Sequence, residues 1–214
     1  MSPETVVLIH GLWVTARNLA LLQHRLQAAG FLTAAFSYPT VQSAPRLNAI
    51  ELNGFCKKLD AQVLHFVAHS LGGLVLRHLF HDYSDQRPGR VVTLGTPHQP
   101  SSAARSLSRI RPGRIVMGRS LHEGLLGGAP PWDRRRELGS IAGTLRFGMG
   151  RLVPGIPAPS DGTVAVAETR LEGMTDHITA PVSHLGLVVS RRVADYTTHF
   201  LRHGQFPKAT VSPE

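Results

Sequence analysis

Ser70 stands in Ala68-His69-Ser70-Leu71-Gly72-Gly73. Before it runs Val63-Leu64-His65-Phe66-Val67, a short apolar run with β-branched and aromatic residues that reads as a buried strand. After it, from Leu71 to about Asp82, apolar residues recur at helical spacing. Strand therefore becomes helix within a few residues, and so tight a corner needs small residues on both sides. A serine held there projects its hydroxyl beside the N-terminus of the following helix, the place for an attacking nucleophile. The pattern is Gly-x-Ser-x-Gly with Ala68 in the first glycine position. An ordinary turn whose serine only caps the helix satisfies the same residues, so the rest of the chain has to discriminate.

A nucleophilic serine needs a base to take its proton, and the base needs an acid to fix its tautomer and steady the imidazolium. Twelve histidines make the mere presence of one uninformative; position has to decide. With the order nucleophile, acid, histidine, the base belongs in a loop between the last strand and the last helix. His184, in Ser183-His184-Leu185-Gly186, fits, whereas His177 falls in or before the strand and His199 and His203 fall in the helix. For the acid, Asp161 in Ser160-Asp161-Gly162-Thr163 is the first choice, although Asp-Gly is also a common turn signal. Asp176 and Asp133 are the alternatives. The tetrahedral oxyanion needs preorganised N–H donors. The backbone of Leu71, after the nucleophile, and that of Leu12, at the exit of the first strand, are the candidates. His69 and His98 flank the same edge and read as supporting or packing residues. Trp13, Leu12 and Leu71 either wall a pocket or pack in the core.

These residues have to be carried by elements that bring them to one edge. Thr5–Ile9 is a continuous apolar run, as expected for a strand covered on both faces. A helix over Asn18–Ala29 is closed by Gly30, a strand covers Phe31–Tyr38, and a helix covers Asn48–Leu59. The elbow strand and helix follow, then Val91–Pro97 as the next strand and its exit. Alternating strands and helices predict an α/β fold, a mostly parallel, doubly wound sheet of about six strands with helices on both faces. His10, Ser70 and Thr96 each close a predicted strand on the edge where such sheets place their sites. From 99 to 160 the rhythm breaks, with proline and glycine punctuation, short helices and one brief strand near Ser140–Thr144. This segment is either a cap over the site or a long irregular crossover. Residues 163–172 read as helical or mixed, Asp176–Thr179 as the last strand and Ser190–His203 as the last helix. Residues 205–214 read as a frayed tail.

At 214 residues with 42% apolar and 17% charged residues, the chain suits one domain with a sizeable core. The single cysteine, Cys56, excludes an internal disulfide and offers no zinc spacing. Neither a signal peptide nor a spanning apolar stretch is evident, so the expectation is a cytoplasmic protein without a transmembrane segment. The net charge is +9, and ten arginines fall between Arg105 and Arg151 against three acids, Glu123, Asp133 and Glu137. Such a surface can attract nucleic acid, anionic lipid or an acidic substrate. No helix-turn-helix, finger or aromatic-interleaved basic pattern supports nucleic acid; an anionic lipid surface or substrate steering remain, alongside the reading that an arginine-rich composition carries no such role.

The combination of Val6–Leu12, Ala68-His69-Ser70-Leu71-Gly72-Gly73, Thr93-Leu94-Gly95-Thr96-Pro97-His98, Ser160-Asp161-Gly162 and His184-Leu185-Gly186-Leu187 resembles the α/β-hydrolase superfamily. It is most similar to small bacterial lipases and esterases, including the compact Bacillus lipases that also carry Ala-His-Ser-x-Gly. The arginine-rich 100–155 segment departs from those compact forms. The resemblance implies Ser70 as nucleophile, Asp161 as acid, His184 as base and no cofactor. The expected activity is hydrolysis of an acyl or lipid ester, a small molecule, through an acyl-enzyme. An acyltransferase or thioesterase using the same residues, and a non-catalytic binding protein on the same fold, are the rival readings.

Overall fold

The computed structural model describes residues 4–147 and 155–208. Six strands form one sheet: β1 (Thr5–Ile9), β2 (Leu32–Phe36), β3 (Leu64–His69), β4 (Val91–Leu94), β5 (Leu138–Gly143) and β6 (Asp176–Ala180). Their order is β2-β1-β3-β4-β5-β6 and every pairing is parallel. From β1 the chain steps outward to β2 and then returns to place β3 on the other side of β1. That reversal opens a crevice at the C-terminal ends of β1 and β3.

The alternation of side chains along each strand explains why the apolar runs are continuous. Val6 and Leu8 point into a core layer with Leu22 and Leu26 of α1 (Ala20–Ala28), Leu187 and Val188 of α6 (Gly186–Val189), and Val193 and Phe200 of α7 (Arg191–His203). Val7 and Ile9 point the other way, toward Leu52 and Cys56 of α2 (Pro45–Lys57) and Leu74, Leu76 and Phe80 of α3 (Leu71–Asp82). Both faces are dry, so neither tolerates polar alternation.

Several boundaries differ from the sequence expectations for identifiable reasons. The second helix begins at Pro45 rather than Asn48, because proline is suited to a first turn whose N–H has no partner anyway. β5 begins at Leu138, two residues early. Its Gly139 is required because a Cβ there would lie 2.7 Å from the rings of Phe200 and Phe206. The stretch 163–172 holds only a single 3₁₀ turn, Val166–Thr169. The last helix starts at Arg191, with the Ser190 hydroxyl accepting from the Val193 N–H as its cap. Of the segments expected to be irregular, 148–154 and the tail from 209 lie outside the described residues. No described helix is long and apolar enough to cross a membrane.

Between β4 and β5 the chain forms α4 (Ser102–Ser108), α5 (Arg111–Met117) and a 3₁₀ turn at Gly118–Leu121, then runs irregularly to residue 137. Met117, Leu121, Leu125 and Trp132 are buried in the same core layer as α3. Together with the sheet and α2, this packing buries ten of the twelve residues of α3, Arg77 and His78 among them. The Arg77 guanidinium donates to the carbonyls of Pro130 (2.7 Å), His98 (2.6 Å) and Ala129 (2.8 Å). The His78 ring bonds the Glu123 carbonyl at 2.7 Å. Burial pulls the Arg77 pKa down to about 10, so the group remains charged at neutral pH. Arg77 therefore ties the irregular crossover to the helix that starts at Ser70. Replacing it with Met should leave those three carbonyls without this donor and lower the unfolding free energy by about 2–4 kcal/mol. Urea unfolding followed by circular dichroism checks this, and a loss below about 0.5 kcal/mol would show that the crossover is held by its apolar contacts alone.

Candidate active site

Ser70 has φ 54° and ψ −122°, a conformation rare for a residue with a side chain. Its backbone is fixed on both sides. The Ser70 N–H donates to the Leu94 carbonyl at 2.9 Å. The Ser70 carbonyl accepts from the Gly73 N–H at 3.1 Å and from the Thr96 hydroxyl at 2.8 Å. The glycines around it are required by close approach. A Cβ on Gly72 would lie 2.8 Å from the His10 carbonyl oxygen, and one on Gly11 would lie 2.8 Å from the Ser70 Cβ. A Cβ on Gly73 would overlap the Thr96 side chain. The β1 exit thus presses directly against the corner through Gly11 and the His10 carbonyl.

His184 and Asp161 meet at the same edge. The His184 Nδ1–H donates to Asp161 Oδ2 at 2.7 Å. The other carboxylate oxygen, Oδ1, accepts the N–H groups of Thr163 (2.8 Å) and Val164 (2.7 Å). The Asp161 side chain is 1% exposed and His184 13%. With Nδ1 committed to the carboxylate, Nε2 is the basic nitrogen of that ring. Gly95, at φ 60°, lets the pair approach: a Cβ there would lie 3.1 Å from both Asp161 Oδ2 and His184 Nδ1. Because the residue before Gly95 accepts the Ser70 N–H, the end of β4 contacts both halves of the site.

The alternative acids lie elsewhere. Asp176 accepts the N–H groups of His177 and Phe206, each at 2.8 Å, and pins the segment after α7. Asp133 pairs with Arg135 at 2.8 Å. His177 lies in β6, bonded to the Thr169 hydroxyl, and His199 and His203 lie in α7. Leu71 is fully buried in the core and Leu12 packs partly against it, so only Trp13 is largely open, at 52% exposure. The Trp13 indole N–H donates to the Val116 carbonyl at 3.0 Å.

Two supports have partners that residue order does not reveal. His69 is buried, and its Nε2–H donates to the His184 carbonyl at 3.1 Å, while the two rings lie 4.7 Å apart. The residue before the serine thereby holds the loop that carries the histidine. His10 accepts the Tyr38 N–H on Nε2 at 3.3 Å and stacks on the Tyr38 ring at 4.5 Å. The Tyr38 hydroxyl donates to the His10 carbonyl at 2.7 Å, fixing the chain just before Gly11.

His69 and His98 share one electrostatic property. Burial, with a smaller contribution from neighbouring positive groups, lowers each pKa from 6.5 to about 3. Both are neutral in the folded protein, and the unfolded chain takes up their protons first. Stability is therefore intact above about pH 6.5 and is lost as the pH falls toward 3, at up to about 1.4 kcal/mol per pH unit for each ring. His98→Gln should remove about one proton from that dependence, read from urea unfolding at stepped pH. An unchanged slope would mean that His98 is protonated in the native state.

The sequence matches no family model, and no curated protein matches it significantly. Solved structures do match. The mature lipase BlEst2 of Bacillus licheniformis superposes with a TM-score of 0.74 at 18% identity, covering 95% of this chain and 92% of that one. The phospholipase PlaB of Legionella pneumophila gives 0.76 at 14% identity, over 94% of this chain and 59% of that one. A thermophilic esterase of Thermogutta terrifontis gives 0.66 at 14%, over 95% and 91%. Together with the six-stranded parallel sheet and its flanking helices, this likeness identifies the architecture of the chain as the α/β-hydrolase fold.

Proposed function

We propose that the chain is a serine hydrolase of carboxylic esters, with Ser70 as nucleophile, His184 as base and Asp161 as acid. One observation carries this reading. A histidine whose Nδ1–H is held at 2.7 Å by a buried, doubly supported carboxylate lies at the sheet edge where a serine occupies a strained strand-to-helix corner. A serine that merely capped a helix would accept an N–H from that helix with its side chain. The Ser70 side chain makes no such cap bond. The structural neighbours, a lipase, a phospholipase and an esterase, support the ester class.

In the mechanism, His184 Nε2 takes the Ser70 hydroxyl proton as the oxygen attacks the ester carbonyl. The N–H groups of Leu71 and Leu12 receive the negative charge on the carbonyl oxygen. Leu71 is the first residue of α3, where the N–H has no intrahelical partner and the helix dipole favours an anion. Collapse of the intermediate expels the alcohol, which leaves with the proton from His184. Water, deprotonated by His184, then attacks the acyl-serine, and the acid departs as Ser70 regains its proton. Asp161 fixes the tautomer and steadies the imidazolium. No step calls for a cofactor.

A fluorophosphonate probe should label wild type and leave Ser70→Ala unlabelled; equal labelling of both would refute the assignment. Asp161→Asn leaves the shape intact but lets the carboxamide favour the wrong imidazole tautomer, so kcat on a soluble nitrophenyl ester should fall about 10³–10⁴-fold. Circular dichroism checks that the fold is retained, and near-normal turnover would remove Asp161 from the mechanism.

A further inference from the structure

The arginines of the crossover are distributed unlike ordinary surface charge. From Gln86 to His122 there is not one aspartate or glutamate. Arg105, Arg109, Arg111, Arg114 and Arg119 are all exposed, and none forms an ion pair with a described residue. On α5 the buried residues are Gly113 and Met117, which leaves Arg111, Arg114 and Ile115 facing outward. Ile115 is 68% exposed and its neighbour Val116 53%. A helix that was only a solvated face would show its charges without these aliphatic side chains between them.

The apolar exposure continues around the candidate site. Trp13, bonded through its indole N–H to the Val116 carbonyl, joins α5 to the β1 exit beside Ser70. On the other flank, Leu185 directly follows His184 and is exposed. Leu145 and Phe147 are exposed as well, with Arg146 between them. Their loop is tied to the histidine loop by the Leu145 N–H, which donates to the Val182 carbonyl at 3.1 Å. It also lies against the acid loop, where a Cβ on Gly162 would come within 2.9 Å of the Phe147 carbonyl oxygen. Both flanks of one sheet edge thus present large apolar side chains, and both carry arginine, Arg146 on the second flank, without an ion pair to a described residue.

We infer that this edge docks on an anionic lipid surface, with Trp13, Ile115 and Phe147 entering the headgroup region and the arginines of α4 and α5 meeting lipid phosphates. Charge complementarity selects this occupant. Exposed apolar groups alone fit any apolar partner, but interspersed with acid-free arginines they match an interface that is negative outside and hydrocarbon beneath. Arginine also suits it geometrically, since its stem lies along apolar material while the guanidinium forks onto phosphate. Docking needs nothing from Ser70. That the docked enzyme cleaves esters of the same lipid layer rests on the proposed function.

The test uses Ser70→Ala protein, so binding is read without turnover, and vesicles of phosphatidylcholine alone or mixed with phosphatidylglycerol. The chain has two tryptophans, and Trp132 is buried, so a change in emission on binding reports Trp13. Binding to the mixed vesicles should shift the emission to the blue and weaken steeply with added salt. Arg109→Gln, Arg111→Gln and Arg114→Gln together should weaken it by about tenfold to a hundredfold, at about fivefold per charge near the surface, with melting temperature unchanged. Ile115→Ser should keep the salt-dependent attraction but bind less tightly. Equal binding to neutral vesicles, an unshifted emission, or a triple variant that binds like its parent would each overturn the proposal. So would binding to single-stranded nucleic acid without binding to vesicles. Turnover of a soluble ester by the triple variant with Ser70 intact is measured separately. A protein that binds vesicles but resists the fluorophosphonate fails only as a hydrolase, and one that is labelled but ignores vesicles fails only here.

Discussion

The strained corner at Ser70 is the constraint on which the surrounding structure depends. A side-chain-bearing residue at φ 54° and ψ −122° costs on the order of 1–3 kcal/mol, and it persists only because several elements over-determine it. β4 fixes the corner from one side through the Leu94 carbonyl and the Thr96 hydroxyl, and β1 presses on it through Gly11 and the His10 carbonyl. The two strands that flank β3 therefore both act on one residue. The parallel order that places β1 and β4 on either side of β3 is as much a requirement of the corner as of the core.

The same corner is coupled to the histidine loop by short-range contacts. His69, one residue before the serine, donates to the backbone of His184, and the His184 N–H donates to the Asp161 carbonyl at 3.0 Å. A shift of the β3 end would thus move the acid and histidine loops with it. Keeping His69 neutral matters to this arrangement, since a protonated ring would sit as an unpaired charge in a dry site next to the imidazolium that the proposed chemistry creates. Burial makes that protonation unfavourable over the whole neutral range.

The sequence was legible where a local pattern and a long-range requirement coincide. Gly72 and Gly73 are visible as small residues after Ser70, and the structure shows the close approaches that demand them. The buried strands are visible because both faces are covered. By contrast, Arg77 interrupts an apolar helix without declaring its partners, which are three backbone carbonyls far along the chain. A backbone carbonyl leaves no mark in the sequence, and the bond from His69 to His184 is hidden for the same reason. The start of β5 was obscured by Gly139, whose purpose is to admit Phe200 and Phe206 from the other end of the chain. The candidate acid was readable only as the best of three aspartates; the two N–H groups that hold its carboxylate belong to its own turn.

What the fold leaves free is equally informative. Ten of twelve residues of α3 are buried, and the sheet beneath Ser70 is covered on both faces. Under the proposed function, substrate therefore has no approach from below or from the side of the elbow helix. It has to arrive over the loops that follow β1, β4 and β5 and the loop that carries His184. These are also the segments that expose Trp13, Ile115, Phe147 and Leu185. Arg77 binds the base of the crossover to α3, so α4 and α5 rise from a fixed foundation rather than a floppy insertion. The geometry of the reacting groups is thus set by the rigid sheet edge, while the character of whatever meets that edge is set by side chains that the core does not constrain. Under the proposed function, exchange of those side chains would alter which esters reach Ser70 without disturbing the contacts that hold it in place.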